Sequence, residues 1–207
     1  METTLVRAEQ VVWETWGRNY GQACDYFVVP GLQSEDSFLL SFGLATIDTP
    51  DCAFSHFSGM ERLHYLLAGE TELEIQGVSH QLTQSNPFVR FPGDVKTRCR
   101  VLRKPVTAFN VIANAQMAEL IAPVVLTNQK VQIRHKANAH RHVFDFFLLL
   151  SGELLADEIT FGASCFEPKK LSIGDALVLS TNCESEVLEF AIDSNTTLLR
   201  STAVLCL

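Results

Sequence analysis

The sequence carries no excess of positive charge. Its 207 residues include 16 Lys and Arg against 24 Asp and Glu, which gives a net charge of −8 at pH 7. Binding to nucleic acids and to anionic membrane surfaces depends on clustered cations. The composition therefore argues against both a nucleic-acid partner and a membrane partner.

Long apolar runs are also missing. A membrane-spanning helix needs about 20 consecutive apolar residues, and no stretch of this sequence approaches that length. The first residues show no basic segment followed by an apolar one, so we expect no signal peptide. The six cysteines are scattered and form no Cys-x-x-Cys pair. Together these absences predict a cytoplasmic protein whose thiols are reduced.

The familiar catalytic motifs are absent as well. The sequence contains no Gly-x-Ser-x-Gly elbow, no glycine-rich phosphate loop before a helix and no evident nucleophile–base pair. Cys24 is a lone thiol that we expect to be buried. No long amphipathic helical pattern occurs, which argues against alternating βαβ units.

Short apolar segments separated by turn residues fill the chain instead. In residues 71–75, Leu and Ile alternate with Glu, a period that is typical of a half-buried antiparallel strand. Residues 114–123 fit a short helix, a linker or a strand. The number and spacing of these segments predict an all-β protein, either a sandwich or a barrel.

One pattern occurs twice in the sequence. Leu66-Leu67-Ala68-Gly69-Glu70 returns 83 residues later as Leu149-Leu150-Ser151-Gly152-Glu153. A Gly-Asp pair follows each copy, at residues 93–94 and 174–175. We interpret this as a weak tandem duplication in which two strands meet at each glycine to form a hairpin.

The strand before Gly69 carries two polar residues on one face. Arg62 and His64 share that face with Leu66, because side chains alternate along a strand. A small barrel encloses space for one ligand, and an arginine at its mouth suits a carboxylate because the guanidinium fork matches two oxygens. The alternative is that Arg62 pairs with Glu61 or another acid at the strand end.

The second copy contains a candidate metal set. His140 and His142 lie two residues apart and Asp145 follows. Two histidines and one carboxylate are typical of sites for iron(II) or another divalent metal. The alternative is an exposed basic loop, since His135 and Lys136 lie close by in the sequence. We favour the loop and predict no metal cofactor, with the three-residue set as the alternative.

A family resemblance appears once these motifs are combined. Residues 54–62 read Phe-Ser-His-Phe-Ser-Gly-Met-Glu-Arg before the Leu-rich strand, and residues 91–94 read Phe-Pro-Gly-Asp. Residues 108–111 read Ala-Phe-Asn-Val, and residues 16–21 read Trp-Gly-Arg-Asn-Tyr-Gly. This pattern resembles the HutD/Ves family of the cupin superfamily, most clearly over residues 10–115.

The resemblance implies a fold and a set of associations. It implies a tandem cupin, or bicupin, with two antiparallel jelly-roll β-barrels at residues 1–115 and 116–207 packed as one compact unit. By analogy with other cupins we expect a homodimer. HutD-like proteins are associated with histidine utilisation and have been suggested to bind N-formylglutamate. Ves-like proteins are linked to environmental stress.

The function that we predict is non-enzymatic binding of a small acid, such as N-formylglutamate, in the first barrel. Arg62 would hold the carboxylate, and Trp16 and Phe54 would wall the site. Asp25, His64 and Asn110 would form hydrogen bonds to the ligand. The full candidate set is Trp16, Asn19, Asp25, Phe54, Ser55, Arg62, His64 and Asn110.

The sequence departs from the family pattern at several of these positions. Cys24-Asp25 stands where the family has an Arg-Glu pair, and Ala108 stands where the family has an Asp. If these positions line the pocket, the ligand differs from that of the relatives.

Two other functions are considered. A four-ligand cupin metal site is excluded, because Arg62 occupies the carboxylate position of the first copy and neither copy has the downstream His. A metal-dependent oxygenase or isomerase would use the second-copy set. A protein-contact module would have both barrel interiors filled by side chains.

Overall fold

The protein is built almost entirely of β-strands. The computed structural model describes residues 2–31, 37–136, 140–155, 160–161, 164–165, 170–182 and 184–206. These residues form strands and one short 3-10 helix, Ala8–Gln10. None of the residues described belongs to a helix long and apolar enough to cross a membrane. The prediction of an all-β protein is confirmed.

The chain divides into two compact units. The first unit is Val11–Leu120, and the second unit joins Met1–Gln10 to Ile121–Leu207. The sequence had suggested domains at 1–115 and 116–207, with the first ten residues in the N-terminal one. Those residues belong elsewhere because the first strand, Glu2–Val6, pairs antiparallel with a strand at Ala176–Thr181. No local sequence pattern reveals a pairing over that separation.

The first unit contains an eight-stranded sheet. Its strands are β2 (Glu14–Trp16), β3 (Gly21–Pro30), β4 (Phe38–Thr46), β5 (Asp51–Ala53), β6 (Met60–Ile75), β7 (Val78–Leu82), β8 (Phe88–Pro92) and β9 (Thr97–Asn114). The order is β2-β3-β4-β9-β6-β7, with β5 paired to β9 and β8 paired to β6. The two longest strands of the unit, β6 and β9, therefore lie beside each other inside the sheet.

The second unit contains a seven-stranded sheet and a two-stranded one. Its strands are β1 (Glu2–Val6), β10 (Ala118–Lys136), β11 (Arg141–Ser151), β12 (Leu154–Leu155), β13 (Thr160–Phe161), β14 (Ser164–Cys165), β15 (Lys170–Leu171), β16 (Ala176–Thr181) and β17 (Glu184–Cys206). The order in the larger sheet is β1-β16-β11-β17-β13-β14, with β10 on β17, while β12 pairs with β15. Phe147, Leu149, Leu177, Leu179 and Leu198 are among the buried side chains of its core.

Residues 114–123, whose sequence fits a short helix, a linker or a strand, form a turn and then a strand. The side-chain oxygen of Asn114 accepts hydrogen bonds from the backbone N–H groups of Gln116 (3.0 Å) and Met117 (3.1 Å). An Asn side chain that bonds backbone two residues on mimics a turn. The chain therefore reverses within a few residues and continues as β10.

The predicted hairpin at Gly69 is wrong. β6 runs without interruption through this residue, and the register with β9 shifts on either side of it. Gly69 has φ of +86°, so it serves an irregularity inside a long strand. The real hairpin follows at Gln76-Gly77, where both residues have positive φ (52° and 82°) as a two-residue turn between antiparallel strands requires.

We predict that Gly69→Ala lowers the free energy of unfolding by about 2–4 kcal/mol. A Cβ atom at residue 69 would collide with the carbonyl oxygens of Arg103 and Pro105, and the positive φ adds strain. The control is Gly77→Ala, where φ is also positive but no atom lies within 4 Å of the added Cβ. It should cost roughly 1 kcal/mol. Urea unfolding of both variants is the measurement. Equal losses of unfolding free energy in the two variants would contradict the predicted effect of the collision.

Candidate functional site

A row of polar side chains crosses the middle of the first unit's sheet. His64 on β6 is directly opposite Asn110 on β9, Asn110 is opposite Gly43 on β4, and Gly43 is opposite Asp25 on β3. Residues directly opposite in antiparallel strands project from the same face. Arg62 lies two residues before His64 on the same strand and so joins this face.

Asn110 connects Arg62 to His64. The side-chain oxygen of Asn110 accepts a hydrogen bond from Nε of Arg62 at 3.3 Å and lies 2.8 Å from Nδ1 of His64. Because a guanidinium only donates, the Asn110 atom that faces it is the amide oxygen. The same oxygen only accepts, so Nδ1 of His64 carries the proton. Nε2 of His64 is then a hydrogen-bond acceptor.

Two polar atoms of this network have no hydrogen-bond partner. Nη1 of Arg62 and Nε2 of His64 are buried and unpaired within the part of the chain that the structure describes. His64 is 1% exposed, whereas Arg62 as a whole is partly exposed. The site therefore presents one charged donor and one neutral acceptor that the fold itself does not satisfy.

Aromatic rings cover the cation. The Phe54 ring centroid lies 4.7 Å from Cζ of Arg62 and 5.2 Å from the His64 ring centroid. The Phe57 ring lies 5.7 Å from the same guanidinium carbon. Trp16 packs edge-on against Phe54 at 6.1 Å, and its indole N–H donates to the carbonyl oxygen of Thr46 at 2.9 Å. Trp16 therefore supports the ring that contacts Arg62.

Burial changes the pKa of both basic groups. Desolvation lowers the pKa of Arg62 to about 10, with the Cys52 thiol group opposing the shift. Arg62 therefore remains positively charged at neutral pH. Desolvation and, secondly, the charge of Arg62 lower the pKa of His64 to about 4, and the hydrogen bond that His64 donates to Asn110 opposes the shift only in part. His64 is therefore neutral at neutral pH.

Glu61, the acidic residue next to Arg62 in sequence, is already paired with another arginine. Glu61 receives both prongs of Arg90, with Nε–Oε1 and Nη2–Oε2 distances of 2.6 Å. The alternative in which Arg62 pairs with Glu61 is therefore wrong. No acidic side chain forms an ion pair with Arg62 among the residues described.

Asp25 lies in the same row but at its exposed end. Its Oδ1 accepts a hydrogen bond from the Ser41 hydroxyl at 2.5 Å. A Cβ atom on Gly43 would lie 3.0 Å from that oxygen, so the glycine leaves room for the carboxylate over the sheet. Asp25 and Asn110 are therefore separated by one residue that has no side chain.

The structure does not bring Asn19 and Ser55 to the polar row. Asn19 is exposed in the turn between β2 and β3 and has φ of +61°, a conformation that Asn tolerates better than most residues. Ser55 is exposed as well. Sequence reasoning missed Phe57, although its position three residues after Phe54 in the same motif was a usable signal.

The second unit has a different arrangement at the equivalent positions. The 83-residue offset between the repeats places Asp145 at the position of Arg62. Asp145 is fully buried, and its Oδ1 accepts hydrogen bonds from Arg200 (2.9 Å) and Thr202 (2.5 Å). Arg200 thus neutralises the buried charge of Asp145, whereas no acidic side chain among the described residues neutralises Arg62.

The alternative metal set is not assembled. His142 and Asp145 are three residues apart on β11, whose regular register through this segment places them on opposite faces. His140 lies in an exposed turn before the strand. No group of three or more His, Cys, Asp and Glu side chains with metal-site geometry occurs in the described portion of the chain.

Solved structures with the same architecture define the class of fold. A conserved protein of unknown function from Pseudomonas aeruginosa PAO1 superimposes with a TM-score of 0.75 at 17% identity, covering 100% of both chains. Bacterial pirin YhhW in complex with nickel(II) from Escherichia coli gives 0.59 at 13% identity, covering 99% of each chain. A cupin 2 conserved barrel domain protein from Leptotrichia buccalis gives 0.54 at 8% identity, over 100% of this chain and 98% of the other. The fold is therefore cupin-like.

The family follows from the sequence match. The HutD family model matches residues 8–199, and the chain belongs to the HutD family. HutD from Pseudomonas fluorescens SBW25 superimposes with a TM-score of 0.70 at 19% identity, over 97% of this chain and 98% of the other. A search of curated proteins finds no match.

We predict that acid destabilises the protein through His64. The unfolded chain binds the His64 proton with a pKa of 6.5 and the folded protein with a pKa of about 4. Stability is therefore lost as the pH falls from 6.5 towards 4, by about 3 kcal/mol in total from this group. Urea unfolding across this range measures the loss.

The matched variants are His64→Gln and His56→Gln. His64→Gln removes the titrating group and should flatten this part of the stability profile. His56 is exposed, so His56→Gln should keep the wild-type profile. A wild-type profile in His64→Gln would contradict the assignment.

Proposed function

We propose that the first unit binds a small carboxylic acid and that the protein acts as a binding protein rather than an enzyme. The observation that supports this is the buried Nη1 of Arg62. Among the described residues, this atom has no hydrogen-bond partner and forms no ion pair with an acidic side chain. A buried charged donor without an acceptor is costly, by roughly 1–3 kcal/mol or more. A carboxylate from a ligand satisfies both the charge and the donor.

The neighbouring groups narrow the chemistry of the ligand. Arg62 donates to an anion, whereas Nε2 of His64 accepts and so selects an N–H or O–H group nearby. Phe54 and Phe57 favour a compact ligand with some apolar surface. N-formylglutamate combines a carboxylate with an adjacent amide N–H, and it is the ligand that the family resemblance suggested together with a role in histidine utilisation.

The chemistry of the site favours binding over catalysis. His64 has a pKa of about 4, so it is a weak base at neutral pH. Asn110 does not titrate, and Arg62 remains protonated. These groups recognise a ligand but do not supply a nucleophile or an effective general base.

The tandem cupin arrangement is part of the same proposal. Gly69 and Gly152 both have positive φ, at 86° and 78°. Gly69 lies at a register shift inside β6, and Gly152 directly follows β11, whose register shifts between Leu149 and Ser151. β6 pairs with β9 in the first unit as β11 pairs with β17 in the second. These correspondences support two jelly-roll barrels related by duplication, with the ligand in the first.

We predict that Arg62→Gln weakens binding of formate and of N-formylglutamate by roughly 10- to 100-fold, the value of a charge-assisted hydrogen bond. Formate is the simplest probe, and the Pseudomonas fluorescens HutD structure carries the description "formate condition". Isothermal titration calorimetry measures the affinity. Thermal unfolding checks the fold, which should be retained because the substitution removes an unpaired buried charge.

The control is Arg100→Gln. Arg100 is exposed and pairs with Glu72 on the outer part of the sheet, so its loss should leave both affinities unchanged. Equal affinities in wild type and Arg62→Gln would overturn the proposal. So would a wild-type protein that binds neither acid.

A further inference from the structure

Two buried cysteines of the first unit face each other across neighbouring strands. Cys52 on β5 is directly opposite Cys99 on β9, and their exposed fractions are 6% and 2%. Both thiols are free. Cys24, by contrast, lies opposite Leu44 on the neighbouring strand, so no thiol faces it there. Neither Cys52 nor Cys99 is assigned a ligand contact in the proposed acid site.

The backbone bonds around the pair define its spacing. The Phe54 N–H donates to the Thr97 carbonyl at 3.0 Å, and the Val101 N–H donates to the Pro50 carbonyl at 2.7 Å. These two hydrogen-bonded pairs flank the cysteines by two residues on each side. Because bonded and non-bonded pairs alternate in an antiparallel ladder, the cysteines form a bonded pair, with Cα atoms about 5.5 Å apart. Disulfides most often span roughly that Cα distance, but they need Cβ atoms about 3.5–4.5 Å apart, whereas opposed strand residues have Cβ atoms about 4.5–5.5 Å apart. The two strands must therefore move slightly together for the bond to form.

The two thiols are electrostatically unequal. Interaction with the Cys99 thiol lowers the pKa of Cys52, and the positive charge of Arg62 acts in the same direction, while burial and Asp51 oppose the shift. Interaction with Cys52 and burial raise the pKa of Cys99. Cys52 is therefore the nucleophile of the pair, because the thiolate is the reactive form.

A cavity lies beside the two strands that carry the pair. A cavity of about 640 Å³ is lined by both cysteines and by Tyr20, Asp51 and Arg98. Asp51 and Arg98 are exposed, so the cavity reaches the protein surface. Side chains alternate along a strand, so Asp51 and Arg98 face the side of the sheet opposite the two thiols, which are buried in the core. An oxidant therefore reaches the thiols when these strands open locally.

We infer that Cys52 and Cys99 form a reversible intramolecular disulfide when hydrogen peroxide oxidises the folded protein. The Cys52 thiolate attacks one peroxide oxygen, the O–O bond breaks and hydroxide leaves, which gives a sulfenic acid on Cys52. The Cys99 sulfur then attacks the Cys52 sulfur and releases hydroxide, which takes the thiol proton to form water. Two thiols and one peroxide thus yield one disulfide and two waters.

The test treats the folded, reduced protein with hydrogen peroxide and counts thiols by alkylation and intact mass. We expect the loss of two thiols per chain, a Cys52–Cys99 cross-link in non-reducing peptide maps and full recovery with dithiothreitol. Cys24→Ser should behave as wild type. Cys99→Ser should lose the cross-link and instead accumulate Cys52 sulfenic acid, which a dimedone probe captures.

Other outcomes overturn the inference. One is a disulfide that forms only in denaturant, and another is oxidation that links other cysteines. A Cys99→Ser variant in which Cys52 does not react with dimedone would also contradict the assigned nucleophile. None of these readouts depends on acid binding. A negative result for the disulfide therefore leaves the proposed function untouched, and a negative result for acid binding leaves the disulfide untouched.

Discussion

The pairing of β6 with β9 determines which side chains share the interior of the first unit. It places His64 opposite Asn110 and leaves Arg62 within reach of the same amide oxygen. That one oxygen assigns the His64 tautomer and orients the guanidinium. The unpaired donor and the unpaired acceptor both follow from it, so a shift of one residue between these strands would abolish the site.

The electrostatics of the site follow from burial. Desolvation lowers the pKa of both Arg62 and His64. Only the pKa of His64 falls below 7, because the ordinary pKa of arginine is much higher than that of histidine. The result is one cation beside one neutral imidazole. The Phe54 ring lies over both groups and adds a cation–π contact to a guanidinium that has no carboxylate partner within the described residues.

The two units differ in how the charge of one strand residue is balanced. Each places a charged residue at the equivalent position of its long central strand. In the second unit Asp145 is buried and bonded to Arg200 and Thr202, so the charge is balanced within the protein. In the first unit Arg62 lies opposite Ile112 and donates to the neutral amide of Asn110, so its charge has no acidic partner among the described residues. The second unit thus contains a closed ion pair at this position, and the first unit contains an arginine without an acidic partner among the described residues.

The sequence by itself determined the strand content, the shared face of Arg62 and His64, and the family motifs, because each depends on neighbours a few residues apart. The hydrophobic period of a strand and the residues that form a turn are local properties of the sequence. The tertiary structure alone decided that Glu61 pairs with Arg90, that Gly69 interrupts a strand without reversing it, and that His142 and Asp145 point to opposite faces. It also placed Cys52 against Cys99 and the first strand with the second unit. These outcomes depend on which distant strands pair and in which register, and that choice is made by the burial of whole faces rather than by any local preference.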